Sequence, residues 1–87
     1  MQQEKHHIEA ILSEFIITEF GVGDDGFSSE SNLFEDGYVD SIHLETFFGF
    51  IERRFDVLLR EDLFFDERIT RISGIADMIL ELKELNI

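Results

Sequence analysis

The side chain best placed for chemistry is the hydroxyl of Ser41, in the run Gly37-Tyr38-Val39-Asp40-Ser41-Ile42. This run separates a loop rich in glycine and serine from a strongly apolar stretch with helical spacing, so Ser41 falls at or just inside a helix N-terminus. The carboxylate of Asp40 is in position to cap that helix. The positive end of a helix favours a phosphate, so a serine fixed there suits an attached phosphorylated group. A bare Asp-Ser pair is also ordinary capping chemistry, and its setting must decide between the two. A hydrolytic role fits poorly. His43 is the nearest base, residues two apart on a helix do not face each other, and no oxyanion site is evident. His6-His7 beside Glu4 and Glu9 diverge on a helix and lack a third ligand at suitable spacing, so no metal site is expected. Asp24-Asp25-Gly26 is too short for a calcium loop and reads as a turn.

Three helical patterns must hold this serine in place. From about Glu4 to Phe20, Ile8, Ile11, Leu12, Phe15 and Ile16 recur at the spacing of an amphipathic helix, which Gly21 and Gly23 end. Residues 21–40 form a long loop, unusual in so short a chain, with Phe27, Leu33 and Phe34 expected to pin it to the core. The second helix is predicted from Ser41 to about Arg54. Leu44, Phe47, Phe48, Ile51 and Phe55 form its core stripe, with Phe50 roughly opposite. Ile42, Glu45, Gly49 and Arg53 lie on a different face, flanking Ser41. Arg60 to Phe65 reads as one short helical turn, with Phe64-Phe65 expected in the core. Thr70 is the expected N-cap of a last helix, Arg71 to Leu85, with Ile72, Ile75, Ala76, Ile79 and Leu82 in register. No strand pattern competes. The fold class is all-α: three main helices plus one short helix, with a long loop between helices 1 and 2.

Composition narrows the function further. The chain has 87 residues, 44% of them hydrophobic, and reads as a single folded domain spanning 1–87. Ten Phe against one Tyr and no Trp suggest bulky side chains making up for a short chain. There is no cysteine, which excludes disulfides and thiolate metal sites. The polar start is unlike a signal peptide and no apolar run approaches roughly 18–20 residues, so membrane insertion is not expected and a cytoplasmic protein follows. The net charge is −13, with twelve acids against Lys5 alone in residues 1–52, and eight acids against six bases thereafter. Such a surface repels nucleic acid and steers toward basic protein patches.

Gly37 to Ile42 resembles the attachment site of acyl and peptidyl carrier proteins, where a serine after an aspartate carries phosphopantetheine. Leu33-Phe34-Glu35-Asp36-Gly37 before it, and Phe50-Ile51-Glu52-Arg53-Arg54-Phe55-Asp56 after it, are similar to the family's flanking segments. A weaker match runs from Ile69-Thr70 through Ile75 to Ile79. The resemblance thus covers nearly the whole chain and implies an acyl-carrier-like bundle. It implies that Ser41 receives phosphopantetheine from coenzyme A through a separate phosphopantetheinyl transferase, with Asp40 assisting. The terminal thiol then holds cargo as a thioester. The domain itself would not be an enzyme.

The implied partners, besides the transferase, are an acyl- or aminoacyl-loading ligase and downstream synthase or transferase enzymes of fatty-acid, polyketide, peptide or related biosynthesis. A monomer is implied, recognised through Ile42, Glu45 and Glu52, although Ile42 could instead tuck under the loop. The chain departs from the family in three places: His43 replaces a usual acid, Gly49 a usual apolar contact, and Arg53-Arg54 part of an acidic run. These departures point away from the standard fatty-acid enzymes and toward a freestanding carrier in a specialised pathway. Tyr38-Val39 and the region of Leu63 resemble amino-acid carriers. The alternative is a carrier-like interaction domain that is never modified and binds a partner through its acidic face.

Overall fold

A computed structural model describes residues 2–21 and 26–85 and contains three α-helices: α1 (Gln2–Phe20), α2 (Ser41–Phe55) and α3 (Ile72–Leu85). Two short 3-10 turns, Glu61–Phe65 and Glu67–Thr70, lie between α2 and α3, and no strand occurs among the described residues. The fold is therefore an all-α bundle, as the periodicity predicts. The second 3-10 turn was not expected. Asp24, Asp25 and Gly23 lie outside the described residues, so the turn and helix-end readings placed on them do too.

One core joins the three helices. Ile8, Leu12 and Ile16 come from α1, Phe47, Phe48, Ile51 and Phe55 from α2, and Ile72, Ile75, Ala76, Met78 and Ile79 from α3. Burying a side chain of this size removes enough apolar surface from water to contribute roughly 1.5–3 kcal/mol. Helix α1 packs chiefly on α3, where Lys5 Nζ lies 3.1 Å from Asp77 Oδ1 across the pair. The expected stripe of α2 is buried except for Leu44, which is half-buried.

Phe50 departs from the sequence reading. It does not point away from the core but stacks on Phe15 of α1, ring centroids 4.0 Å apart. Phe15 also stacks on Phe47 at 5.8 Å, so its ring spans two turns of α2. The core of α2 is wider than one stripe because α1 covers its flank as well as its centre.

The loop is tied to the far end of the chain. Leu33 is buried, its N–H donates to the Thr70 carbonyl at 2.7 Å, and Ser73 N–H donates to the Ser29 carbonyl at 3.0 Å. Phe27 and Phe34 are half-buried against the core, as expected of them. Thr70 does not cap α3. It ends the second 3-10 turn, and its hydroxyl donates to the Glu67 carbonyl at 2.8 Å. Helix α3 starts at Ile72 instead, and Ser29 supplies from the loop an acceptor that a capping side chain would otherwise provide.

Asp66 and Arg68 hold the second 3-10 turn. Asp66 Oδ1 accepts from Arg68 N–H at 2.9 Å, and the guanidinium bridges Asp66 Oδ2 at 2.8 Å and Glu81 Oε2 at 2.6 Å. The side-chain and backbone hydrogen bonds from Arg68 hold the Asp66 carboxyl below the usual carboxylate range. Its contribution is therefore complete above the unfolded value near 3.8 and is lost as pH falls through the lower folded value. Asp66→Asn is expected to remove part of the acid limb of the melting-temperature profile below about pH 4. Parallel wild-type and variant profiles in that range would count against the bridge.

Candidate functional site

The approach to Ser41 is set by a compact turn. Asn32 Oδ1 accepts from the N–H groups of Phe34 at 3.1 Å and Glu35 at 2.9 Å, and the backbone then closes from Asp36 N–H to the Asn32 carbonyl at 3.0 Å. Gly37 leaves this turn at φ 80°, the left-handed region that side-chain-bearing residues rarely enter. Val39 is buried and its N–H returns to the Leu33 carbonyl at 2.9 Å, while Tyr38 packs edge-on to Phe27 at 4.8 Å. Every residue from Asn32 to Val39 thus bends or anchors the chain so that Asp40 arrives at one place.

Asp40 is the N-cap of α2, with extended backbone and Oδ1 accepting from His43 N–H at 2.9 Å. Its carbonyl accepts the first helical bond, from Leu44 N–H at 2.9 Å. Losing such a cap typically costs about 0.5–2 kcal/mol. His43 Nδ1 also lies 3.1 Å from Asp40 Oδ1, an ion pair when the imidazole is protonated, and its ring packs on Phe20 at 4.6 Å. Ser41 is the first residue of α2, is exposed, and makes no side-chain hydrogen bond with any described residue.

Ile42 projects into solvent, 78% exposed, so it does not tuck under the loop. Glu45 is exposed one turn further along. Glu52 is half-buried, and its Oε2 accepts from Leu59 N–H at 2.9 Å, which ties the segment after α2 back onto the helix. The structure therefore brings Asp40, Ser41, Ile42 and Glu45 together on the exposed start of α2. Glu52 stands apart, with one oxygen committed to the fold.

Phe64 and Phe65 correct the sequence reading. Phe65 is 90% exposed, and Phe64 is 37% exposed and stacks on Phe48 at 4.8 Å. With three residues per turn, a 3-10 helix sends consecutive side chains about 120° apart. Leu63 points inward, Phe64 reaches sideways to α2, and Phe65 is left outside. The signal available in the sequence was the short run between Arg60 and Asp66, too brief for an α-helical face.

Between α2 and this turn lies a groove of about 320 Å³, lined by Glu45, Phe48, Gly49, Glu52, Leu59 and Phe64. Gly49 sits inside α2 at helical backbone angles, where glycine costs roughly 0.5–1 kcal/mol relative to alanine. A Cβ there would meet only Arg53 Nη1 at 3.5 Å, an ordinary contact. Nothing inside the molecule demands the missing side chain.

Among the described residues no group of three His, Cys, Asp or Glu side chains is placed to hold a metal ion, and no helix is long and apolar enough to cross a membrane. No family model, characterised protein or solved structure matches the chain.

Proposed function

We propose that this domain is a freestanding acyl or aminoacyl carrier that holds its cargo on phosphopantetheine at Ser41. The supporting observation is the exposed, unbonded hydroxyl of Ser41 on the first residue of α2, after a loop anchored at Leu33 and Val39 and capped by Asp40. A group that must swing between partner enzymes needs a rigid base and open surroundings, and this position supplies both. In the loading step the Ser41 oxygen bonds to the pantetheine-side phosphorus of coenzyme A, the nucleotide leaves with the cleaved phosphate oxygen, and the hydroxyl proton is lost. The catalytic groups belong to the transferase. Ser41 supplies an oxygen, and the N-terminal dipole of α2 favours the resulting phosphodiester.

Incubation with coenzyme A and a broad-specificity phosphopantetheinyl transferase is expected to add one phosphopantetheine per chain, mapped to the peptide containing Ser41. Ser41→Ala is expected to remain folded, because the hydroxyl bonds to no described residue, and to gain no mass. Absence of a mass gain in wild type, under conditions that modify a control carrier, would leave the unmodified interaction domain as the better reading.

A further inference from the structure

We infer that the groove beside Gly49 is a socket for a bulky apolar side chain carried on a basic segment of a partner protein. Its floor and walls are apolar: Phe48 stacks on Phe64 along one side, Leu59 closes the end, and Gly49 leaves the α2 side open. A helix-interior glycine that neither backbone angle nor internal packing requires has one evident consequence, which is to admit a foreign side chain. The position therefore accepts an apolar knob and presents none of its own.

Charge selects the partner. Glu45 is exposed at the rim, and Glu52 commits only Oε2 to Leu59, leaving its other oxygen for a cation. Arg53 is the neighbouring base, exposed and free to swing from its place beside Gly49. Residues 1–52 carry twelve acids and one base, so a second copy of this chain meets like charge, whereas a Lys- or Arg-bearing segment is attracted. An amphipathic helix laying its apolar side chains into a groove fits this chemistry. The inference does not depend on modification of Ser41.

The probe is a short amphipathic Leu/Lys helical peptide, with its Leu/Glu counterpart as control, titrated into unmodified wild type, Ser41→Ala, Gly49→Leu and Glu45→Lys. Binding is followed by calorimetry and amide NMR shifts. Wild type and Ser41→Ala are expected to bind the basic peptide alike, with shifts centred on residues 45–52 and 59–64. Gly49→Leu fills the socket and is expected to weaken binding about tenfold or more, with a melting temperature no lower than wild type. Glu45→Lys is expected to weaken it less. Unchanged binding by Gly49→Leu, shifts spread over the acids of α1, or equal binding of the Leu/Glu peptide would overturn the inference. So would a concentration-dependent dimer lost in Gly49→Leu. Failure of Ser41 to accept phosphopantetheine touches none of these outcomes, so the two proposals fail separately.

Discussion

Phe47→Ala is expected to destabilise the domain by about 3–5 kcal/mol, the usual range for truncating a fully buried aromatic. Phe47 has no exposed surface, and its ring meets both Phe15 of α1 and Phe48 on its own helix. Alanine would leave a void that neither neighbour can enter without losing its own stacking, Phe15 on Phe50 and Phe48 on Phe64. A chain of this length typically has a total stability of roughly 4–13 kcal/mol. One truncation therefore brings the fold close to its limit. Urea unfolding measures this directly, with Phe50→Ala as comparison, since Phe50 is only half-buried and should cost clearly less. Equal losses at the two positions would mean that the rings are interchangeable filler.

Gly74→Ala is expected to cost about 1–3 kcal/mol or more, through overpacking against atoms that cannot turn aside. A Cβ at Gly74 would lie 2.3 Å from the Arg68 carbonyl oxygen and 2.8 Å from its Cα. Both are backbone atoms, so α3 and the second 3-10 turn must separate. The strain reaches the site loop, because Thr70 in that turn accepts the Leu33 N–H. Thermal melts are expected to show the loss, and amide exchange at Leu33 is expected to accelerate by more than that of Ile51 in α2. Gly49→Ala makes the same chemical change where the new methyl meets only ordinary contact, so its effect on stability should have the opposite sign. If both glycines respond alike, helix propensity and not close approach governs them.

The contrast between these glycines shows what a linear reading can and cannot reach. The start of α2 was legible because a cap and an apolar period are local: Asp40, Ser41 and the spacing of Phe47, Phe48, Ile51 and Phe55 lie within a few turns. Phe50 was misplaced because a helical wheel gives an angle from one stripe and cannot show that α1 also covers the flank. Phe65 was taken for core because an aromatic pair in a short segment looks apolar, and only the three-residue period of the turn turns it outward. Thr70 has the right type for a cap, but its hydroxyl was claimed by Glu67 and the helix found its acceptor in Ser29, more than forty residues earlier. Gly74 carried no local sign at all, since its reason is the backbone of Arg68.

The two long-range hydrogen bonds of the loop, Leu33 to Thr70 and Ser73 to Ser29, also set an order of events during synthesis. Ser41 lies near the middle of the chain, yet the anchors that hold its approach come from residues 70 and 73. While a nascent chain still lacks that segment, α1 and α2 can form but the loop between them has nothing to close on. Pairings this distant in sequence form late, after the entropy of a long closure has been met. A transferase that recognises the finished geometry around Ser41 would therefore discriminate against incomplete chains, and the placement of two backbone bonds would act as a check that the polypeptide has been made to its last helix.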